Sequence, residues 1–557
     1  MPTLNWIGKE KVINHHLDVP YRILQKQYTY DGNSEEDKIV SDNKIIHGDN
    51  LEVLKSLLPE YEGIVDFIYI DPPYNTGNEN WVYNDNVNHP KIKKWLGTTV
   101  GKENDDLTRH DKWLCMIYPR LKLLQRLLNS QGVIFISIGE DELANLKLVC
   151  DEIFGLNNRI GLVSRIMKSG GNKGNFFSPN VDYILVYAKD KSKANDFKTS
   201  LDEKLVKKLY NQVEKQGNRL GEYYRAFGLY QSSLDSRPNQ RYYIECPDGT
   251  LVIPPGETHP TEKIDGAQVL PKQTDGCWRW SADRYKFERL NGNIVFKKSK
   301  NDVLIDSEGS PAKWNIYTKI WLKDREDEGQ TPTNLISEYE NRHSSKELSN
   351  LGIQFDYAKS KELIKYLIKI AIKNKNAIIL DSFGGSGTTA HAVLELNKED
   401  DGDRKFILVE MEDYANSITA ERVKRVVKGY ADGKKIIEGT GGCFTYYELG
   451  DSLFIDENLL NENLPISKIL EYVWYTETKT KYIKQDEKYF LGCFSNTAYY
   501  FFYDKNYITT LDDTFLRKIR VKAEQYIIYA DNCLLAESLM RKYQIVFKKI
   551  PRDITRF

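Results

Sequence analysis

Two segments, Asp71-Pro72-Pro73-Tyr74 and Asp381-Ser382-Phe383-Gly384-Gly385-Ser386-Gly387-Thr388-Thr389, carry residue types that can do chemistry. The first closes an apolar, β-branched run over 63–70 that reads as a buried strand and is stopped by two prolines. Open α/β sheets bind ligands at such carboxyl ends. An amino nitrogen on an aromatic ring is a poor nucleophile because its lone pair is delocalised. If the Asp71 carboxylate and the Pro72 carbonyl each accept one N–H, the nitrogen is drawn toward a pyramidal form with its lone pair aimed at an incoming group, and the prolines stiffen the acceptors. Tyr74 supplies a flat face for an extruded ring. Alone, Asp-Pro-Pro reads as a capped strand-to-loop turn with a buried tyrosine.

The second segment follows a strand over 377–380 and opens a helix. Its glycines let backbone pass close to a ligand, and the helix start offers unpaired N–H donors. Alone it also reads as a dinucleotide site or a tight turn. The next strand ends at Glu410, whose carboxylate can accept hydrogen bonds from ribose hydroxyls. No lysine follows Gly387 as a triphosphate loop requires, so a nucleoside without triphosphate is expected. The interval from Asp381 to Glu410 exceeds the roughly 20 residues usual for such acidic partners, and the acidic loop over 398–403 accounts for the excess. Together the two segments make Asp71 catalytic.

The elements that must position these residues alternate. A strand over 44–49, a helix marked by Leu51, Val53, Leu54, Leu57 and Leu58, and the strand over 63–70 are followed by a helix over 112–128, a strand over 132–138 and a helix carrying Leu143, Leu146 and Val149. Strands over 160–164 and 183–187 follow, then a helix over 360–372 and strands over 377–380 and 406–409. Such alternation predicts an α/β fold with a doubly wound, mostly parallel sheet. From 196 to 345 the rhythm changes to Tyr-rich pieces punctuated by Pro and Gly, which marks an inserted α+β domain. The expected order is an N-terminal extension (1–40), a catalytic half (41–195), the insert (196–345), a cofactor-binding half (346–440) and a C-terminal α+β domain (441–557).

At 557 residues and 40% hydrophobic content the chain can bury several cores, and its 79 basic and 80 acidic residues nearly cancel, so net charge indicates no partner. No run approaches the ~18 apolar residues of a membrane span, and the start lacks a signal-peptide pattern. A cytoplasmic protein is expected. Seven scattered cysteines without a Cys-x-x-Cys pair predict reduced thiols and no metal site.

These residues resemble the amino-methyltransferases of restriction-modification systems, in the class whose catalytic motif precedes the cofactor loop. They are most similar to the modification (Mod) subunit of Type III systems, which methylates adenine N6. The likeness is carried by residues 71–78, Tyr83-Asn84-Asp85, Asp111-Lys112-Trp113-Leu114, Ser137-Ile138-Gly139-Glu140-Asp141-Glu142, Lys168-Ser169-Gly170-Gly171, Pro332-Thr333-Asn334-Leu335-Ile336 and Phe355-Asp356-Tyr357-Ala358-Lys359-Ser360, and covers most of 41–440. It implies a Rossmann-like methyltransferase using S-adenosylmethionine, with Asp71, Pro72, Pro73 and Tyr74 catalytic. Asp381, Phe383, Gly385 and Gly387 match the cofactor loop, Glu410 the ribose ligand, and Asp49 the position beside the cofactor's adenine. Phe355, Asp356 and Lys359 match the segment near its methionine end, although Ala358 and Ser360 flank Lys359 where the family commonly has proline.

The resemblance further implies double-stranded DNA as substrate, a homodimer, and a separate restriction (helicase-nuclease) subunit, since the chain itself has no helicase P-loop and no nuclease cluster. The insert falls where the family has its target-recognition domain. There Arg225, Arg237, Arg241, Lys272, Arg279 and Arg284 are candidates for phosphates or guanine edges, with Trp278 or Trp280 packed on them, although isolated cations are usually solvated and tryptophans usually core. Phe177 is either a second stacking face opposite Tyr74 or core. The C-terminal Arg541-Lys542, Lys548-Lys549 and Arg552 read as a solvated basic strand. Two alternatives stand beside the main reading. One is cytosine N4 methylation, for which the family more often has Ser in place of Asp71. The other is a DNA-recognition subunit of a nuclease complex.

Overall fold

A computed structural model describes residues 3–32, 35–36, 41–77, 90–102, 107–170, 176–201, 203–235, 237–299, 303–432, 435–456 and 459–555. Asn78, Tyr83, Asn84, Asp85 and Gly171 lie outside them. The chain divides into two compact units, Met1–Phe197 with Thr333–Phe557, and Lys198–Pro332.

The first unit is built on one large sheet. In chain order its strands are β1 (Arg22–Tyr30), β2 (Lys44–His47), β3 (Val65–Ile70), β4 (Leu128–Ile138), β5 (Arg159–Ile166), β6 (Val181–Ala188), β7 (Leu335–Ile336), β8 (Ile378–Asp381), β9 (Lys405–Glu410) and β10 (Phe444–Ser452). They lie in the order β7-β5-β6-β4-β3-β8-β9-β2-β10-β1, with Glu35–Glu36 beyond β1. From β4 to β10 every neighbouring pair is parallel. At the flanks β6 is antiparallel to β4 and β5, and β1 is antiparallel to β10. The inner strands are apolar on both faces because helices cover both. Ile68 and Ile136 point into a core shared with Leu54, Leu121 and Leu146. Phe67, Ile379 and Phe406 point into the other, shared with Leu367, Val393 and Val423.

Those side chains come from the helices α1 (Asn50–Tyr61), α2 (Arg109–Leu127) and α3 (Glu140–Phe154) on one side. On the other stand α4 (Asn341–Asn350), α5 (Lys361–Ala371), α6 (Thr388–Asp400) and α7 (Glu421–Lys428). The chain leaves β2 through α1 and enters β3 three places away, and β8 and β9, from beyond the inserted unit, fill the places between. The register pairs Leu380 with Ile68, Asp381 with Leu408 and Glu410 with His47, so the carboxyl ends of four neighbouring strands are level. Asp71, Asp381, Glu410 and Asp49 therefore emerge at one edge.

Three expected boundaries are corrected. Residues 22–30, assigned to an N-terminal extension, and 444–452, assigned to a separate C-terminal domain, are strands of the main sheet, with β10 paired in parallel to β2 through Thr445 and Lys44. Residues 333–345 belong with the first unit, where β7 pairs in parallel with β5 and α4 begins. Pairing between distant segments decided these cases, and local pattern does not report it. Farther on, a helix at Ile466–Thr478 accompanies a four-stranded sheet of Phe490–Phe494, Thr497–Phe501, Gln525–Ala530 and Ile545–Lys549. The second unit contains two small antiparallel sheets and a helix at Ala282–Leu290. Among the described residues no helix is long and apolar enough to cross a membrane.

Candidate active site

β3 ends at Ile70 because two prolines follow, and Asp71 stays buried at its tip. The loop after it is braced from α2 and α3. The Trp113 indole donates to the Pro73 carbonyl at 2.6 Å, and Arg109 Nη1 donates to the Asn75 carbonyl at 2.7 Å. Asn75 takes a left-handed backbone (φ 57°), and its amide donates to the Arg109 carbonyl at 3.2 Å and to the fully buried Glu142. His110 Nδ1 lies 2.6 Å from the same carboxylate. At Gly139 a β-carbon would come within 3.1 Å of the Tyr74 ring, so glycine lets the ring lie against α3's entry. Two loop carbonyls are thus occupied, while among the described residues no donor takes that of Pro72. Trp113→Phe is expected to lower kcat about fivefold to twentyfold, on the order of one lost hydrogen bond, with cofactor affinity unchanged by calorimetry.

Lys359, just before α5, reaches back to Asp71. Its ammonium donates to both carboxylate oxygens, at 2.8 and 2.7 Å, and lies 4.9 Å from the centre of the Tyr74 ring. The Tyr74 hydroxyl donates to Asp182 at 3.3 Å. Asp182, on β6, is held by Arg165 of β5 through bonds of 2.7 and 2.5 Å, and Arg165 also donates to the Tyr339 carbonyl and the Asn341 side chain at 3.1 and 3.0 Å. Burial, with the nearby Asp71 and Asp182 carboxylates, drives the Tyr74 phenol far above its ordinary range, so it remains a neutral donor.

On the neighbouring strand, Asp381 accepts from the Thr389 hydroxyl at 2.5 Å and from the Phe383 amide at 3.0 Å, closing the glycine loop on itself. Glu410 lies beneath it, accepting from the Gly385 and Glu412 amides at 2.7 and 2.9 Å. Gly387 turns the chain into α6 at φ 81°, with the Thr419 carbonyl 3.0 Å from where a β-carbon would stand. The fully buried Arg422 ties the loop to α7, donating to Ser386 and Thr388 at 2.9 and 2.8 Å and to Glu347 at 2.7 Å. Asp71, Phe355, Lys359, Asp381, Phe383 and Gly385 line one cleft with Tyr69, Ser386, Thr388 and Thr389. The Ser382 hydroxyl is buried in this loop with no partner among the described residues. A buried hydroxyl left over and two buried carboxyls beside a glycine loop fit a nucleoside-bearing ligand.

Of the expected cofactor residues, Gly387 and Glu410 brace the loop from outside the cleft lining, and Asp49 and Asp356 stand apart from it. Asp49 spends its side chain capping α1, accepting from the Leu51 and Glu52 amides at 2.8 and 3.4 Å, with Arg120 at 3.5 Å. Asp356 is exposed and outside the cleft lining. In the second unit Arg241 is fully buried and donates to the carbonyls of Thr258, Pro254 and Gly276 at 2.6, 2.9 and 2.7 Å, so it holds turns together and meets no DNA. Trp278 is core. Arg284 lies over Trp280 at 4.6 Å, Arg225 and Arg279 over Phe227 at 5.3 and 4.4 Å, and Arg237 and Lys272 are exposed. Phe177 is fully exposed, which removes the core alternative. Asp182, Arg165 and Arg422 had no signal in the sequence, while Trp113 and Glu142 stood in quoted motifs without a role.

Burial raises both Asp381 and Glu410 to about 7, against ordinary values of 3.8 and 4.5. The folded protein therefore keeps protons that the unfolded chain releases, and these two groups make stability fall as pH rises from the ordinary carboxylate range to about 7. The slope is about 1.4 kcal/mol per pH unit for each group. Glu410→Gln is expected to flatten the decline of Tm measured between pH 5 and about 7 in ligand-free protein.

Residues 65–421 match the DNA methylase family. The Type III restriction-modification enzyme EcoPI Mod subunit of Escherichia phage P1 is 34% identical over 465 residues, covering 76% of this chain and 68% of its own length. The EcoP15I Mod subunit of Escherichia coli is 30% identical over 437 residues, with 74% and 64% covered. Type II methyltransferase M.KpnI of Klebsiella pneumoniae is 32% identical over 397 residues, with 68% and 84% covered.

Proposed function

The chain belongs to the DNA methylase family, and on that premise we propose that it methylates adenine N6 in double-stranded DNA, with S-adenosylmethionine as donor, as the modification subunit of a restriction-modification system. The observation that carries this is the adjacency of β3 and β8, which brings Asp71 and the glycine loop into one cleft. S-adenosylmethionine, when bound, supplies a methyl group on a cationic sulfur. The chain's residues do the rest. The loop of 381–387 and Glu410 hold the nucleoside part, and Tyr74 receives the flipped base. The Asp71 carboxylate and the Pro72 carbonyl accept the two amino N–H bonds, so the nitrogen presents its lone pair to the methyl carbon. With the donor bound, the nitrogen would gain the methyl group as its bond to sulfur is given up, and Asp71 is placed to take the proton that the nitrogen sheds.

The inserted unit, with Arg284 on Trp280 and the exposed Arg237, is read as the target-recognition domain. A separate restriction chain is part of the same proposal, supported by the Mod subunits of restriction-modification enzymes among the relatives, and a homodimer is proposed with it. The test is incubation of the purified chain with DNA and methyl-labelled donor, then digestion to nucleosides. Label in N6-methyladenine is expected. Label in N4-methylcytosine, or none in DNA, would overturn the reading.

A further inference from the structure

Lys359 occupies both surfaces that a target base needs. One ammonium bonds both Asp71 oxygens and covers the Tyr74 face at 4.9 Å. We propose that Lys359 is the partner the target base displaces, and that after the exchange its ammonium donates to the ring nitrogen beside the reacting amino group. This rests on reading Asp71 and Tyr74 as the base site.

The pair is buried, with side chains only 5% and 10% exposed, so an ammonium pushed off Asp71 needs a new acceptor near at hand. The backbone around it is held, since the Ala358 carbonyl accepts from Ser344 at 2.6 Å and α5 begins at Lys361. Movement is left to the flexible four-carbon stem. The acceptor that arrives with an exocyclic amino group is the unprotonated ring nitrogen flanking it, N1 or N7 in adenine and N3 in cytosine. Asp71 beside Lys359 offers an acceptor next to a donor, the complement of that edge. Guanine O6 and thymine O4 present a carbonyl where Asp71 needs an N–H; guanine N1–H and thymine N3–H also meet the ammonium, while on guanine's N7 side the carbonyl alone is rejected. The pair thus selects adenine and cytosine amino edges over the oxo edges of guanine and thymine, a specificity role for Lys359 at the base.

The test places 1-deazaadenine or 7-deazaadenine at a mapped target adenine in a duplex, each analogue keeping the amino group and lacking one ring nitrogen. Wild-type protein is expected to lose roughly tenfold to hundredfold in kcat/KM on one of the two analogues, the value of a hydrogen bond to a charged donor. Lys359→Met and Lys359→Gln should treat that analogue and adenine alike, within about threefold, with Lys359→Arg retaining part of the discrimination. The same comparison is read in equilibrium binding of the duplexes, which needs no turnover. Equal use of adenine and both analogues by wild-type protein would overturn the proposal, as would undiminished discrimination in the Met and Gln variants. Absence of adenine methylation by wild-type protein would instead overturn the underlying functional reading.

Discussion

Asp71→Ala is expected to lower methyl transfer by at least about a thousandfold while cofactor and DNA still bind. A preorganised acceptor of this kind is worth roughly a hundredfold to a thousandfold in kcat by itself. Alanine also leaves the Lys359 ammonium, 5% exposed, without the carboxylate it now holds at 2.8 and 2.7 Å. That cation is left uncompensated beside the reacting base, and the two losses act on the same step. Asp71→Asn separates them. Its amide oxygen still holds Lys359 in the free protein and accepts one N–H once the base displaces the lysine, so a loss of about tenfold to a hundredfold is expected, since the charge is what is missing. Single-turnover transfer of labelled methyl, with cofactor affinity by calorimetry and DNA affinity by filter binding, checks both variants. Wild-type turnover in Asp71→Ala would sink the mechanism.

What the sequence made legible here was local. Two prolines stopping an apolar strand, and glycines between a strand and a helix, mark Asp71 and the 381–387 loop because their conformations are set by immediate neighbours. The alternation of strands and helices likewise exposed the doubly wound core. What stayed hidden depends on contacts between distant residues. Lys359 meets Asp71 across 288 positions, and Tyr74 meets Asp182 across 108. The strands at Arg22–Tyr30 and Phe444–Ser452 mix polar with apolar residues, as sheet margins do, and only their pairing makes them strands of this sheet. Arg241 reads as a candidate for phosphates or guanine edges, and nothing in the sequence marks Arg165, yet each is enclosed by acceptors. Asp356 sits in a matching motif, but Tyr357 beside it turns at φ 61°, and the aspartate is left facing outward.

Arg165→Met should strongly destabilise the fold while leaving every cleft-lining residue in place. Arg165 is fully enclosed, and its bidentate partner Asp182 is 3% exposed. Breaking a buried pair by removing one member costs about 3–5 kcal/mol, because the remaining charge has lost its counterion where water cannot replace it. Arg165 also joins β5 and β6 to the segment at Tyr339 and Asn341, so methionine deletes two further bonds. The variant is expected to unfold at a markedly lower denaturant midpoint. Adding Asp182→Asn should restore much of the loss, since a neutral amide tolerates the apolar site and its oxygen still accepts the Tyr74 hydroxyl. That rescue distinguishes charge from packing, because methionine leaves the same shape defect in both proteins. If the single variant fell within about 1 kcal/mol of wild type, the pair would not be what steadies this edge of the sheet. If instead the double variant were no better than the single one, the cost would lie in packing and not in the stranded charge.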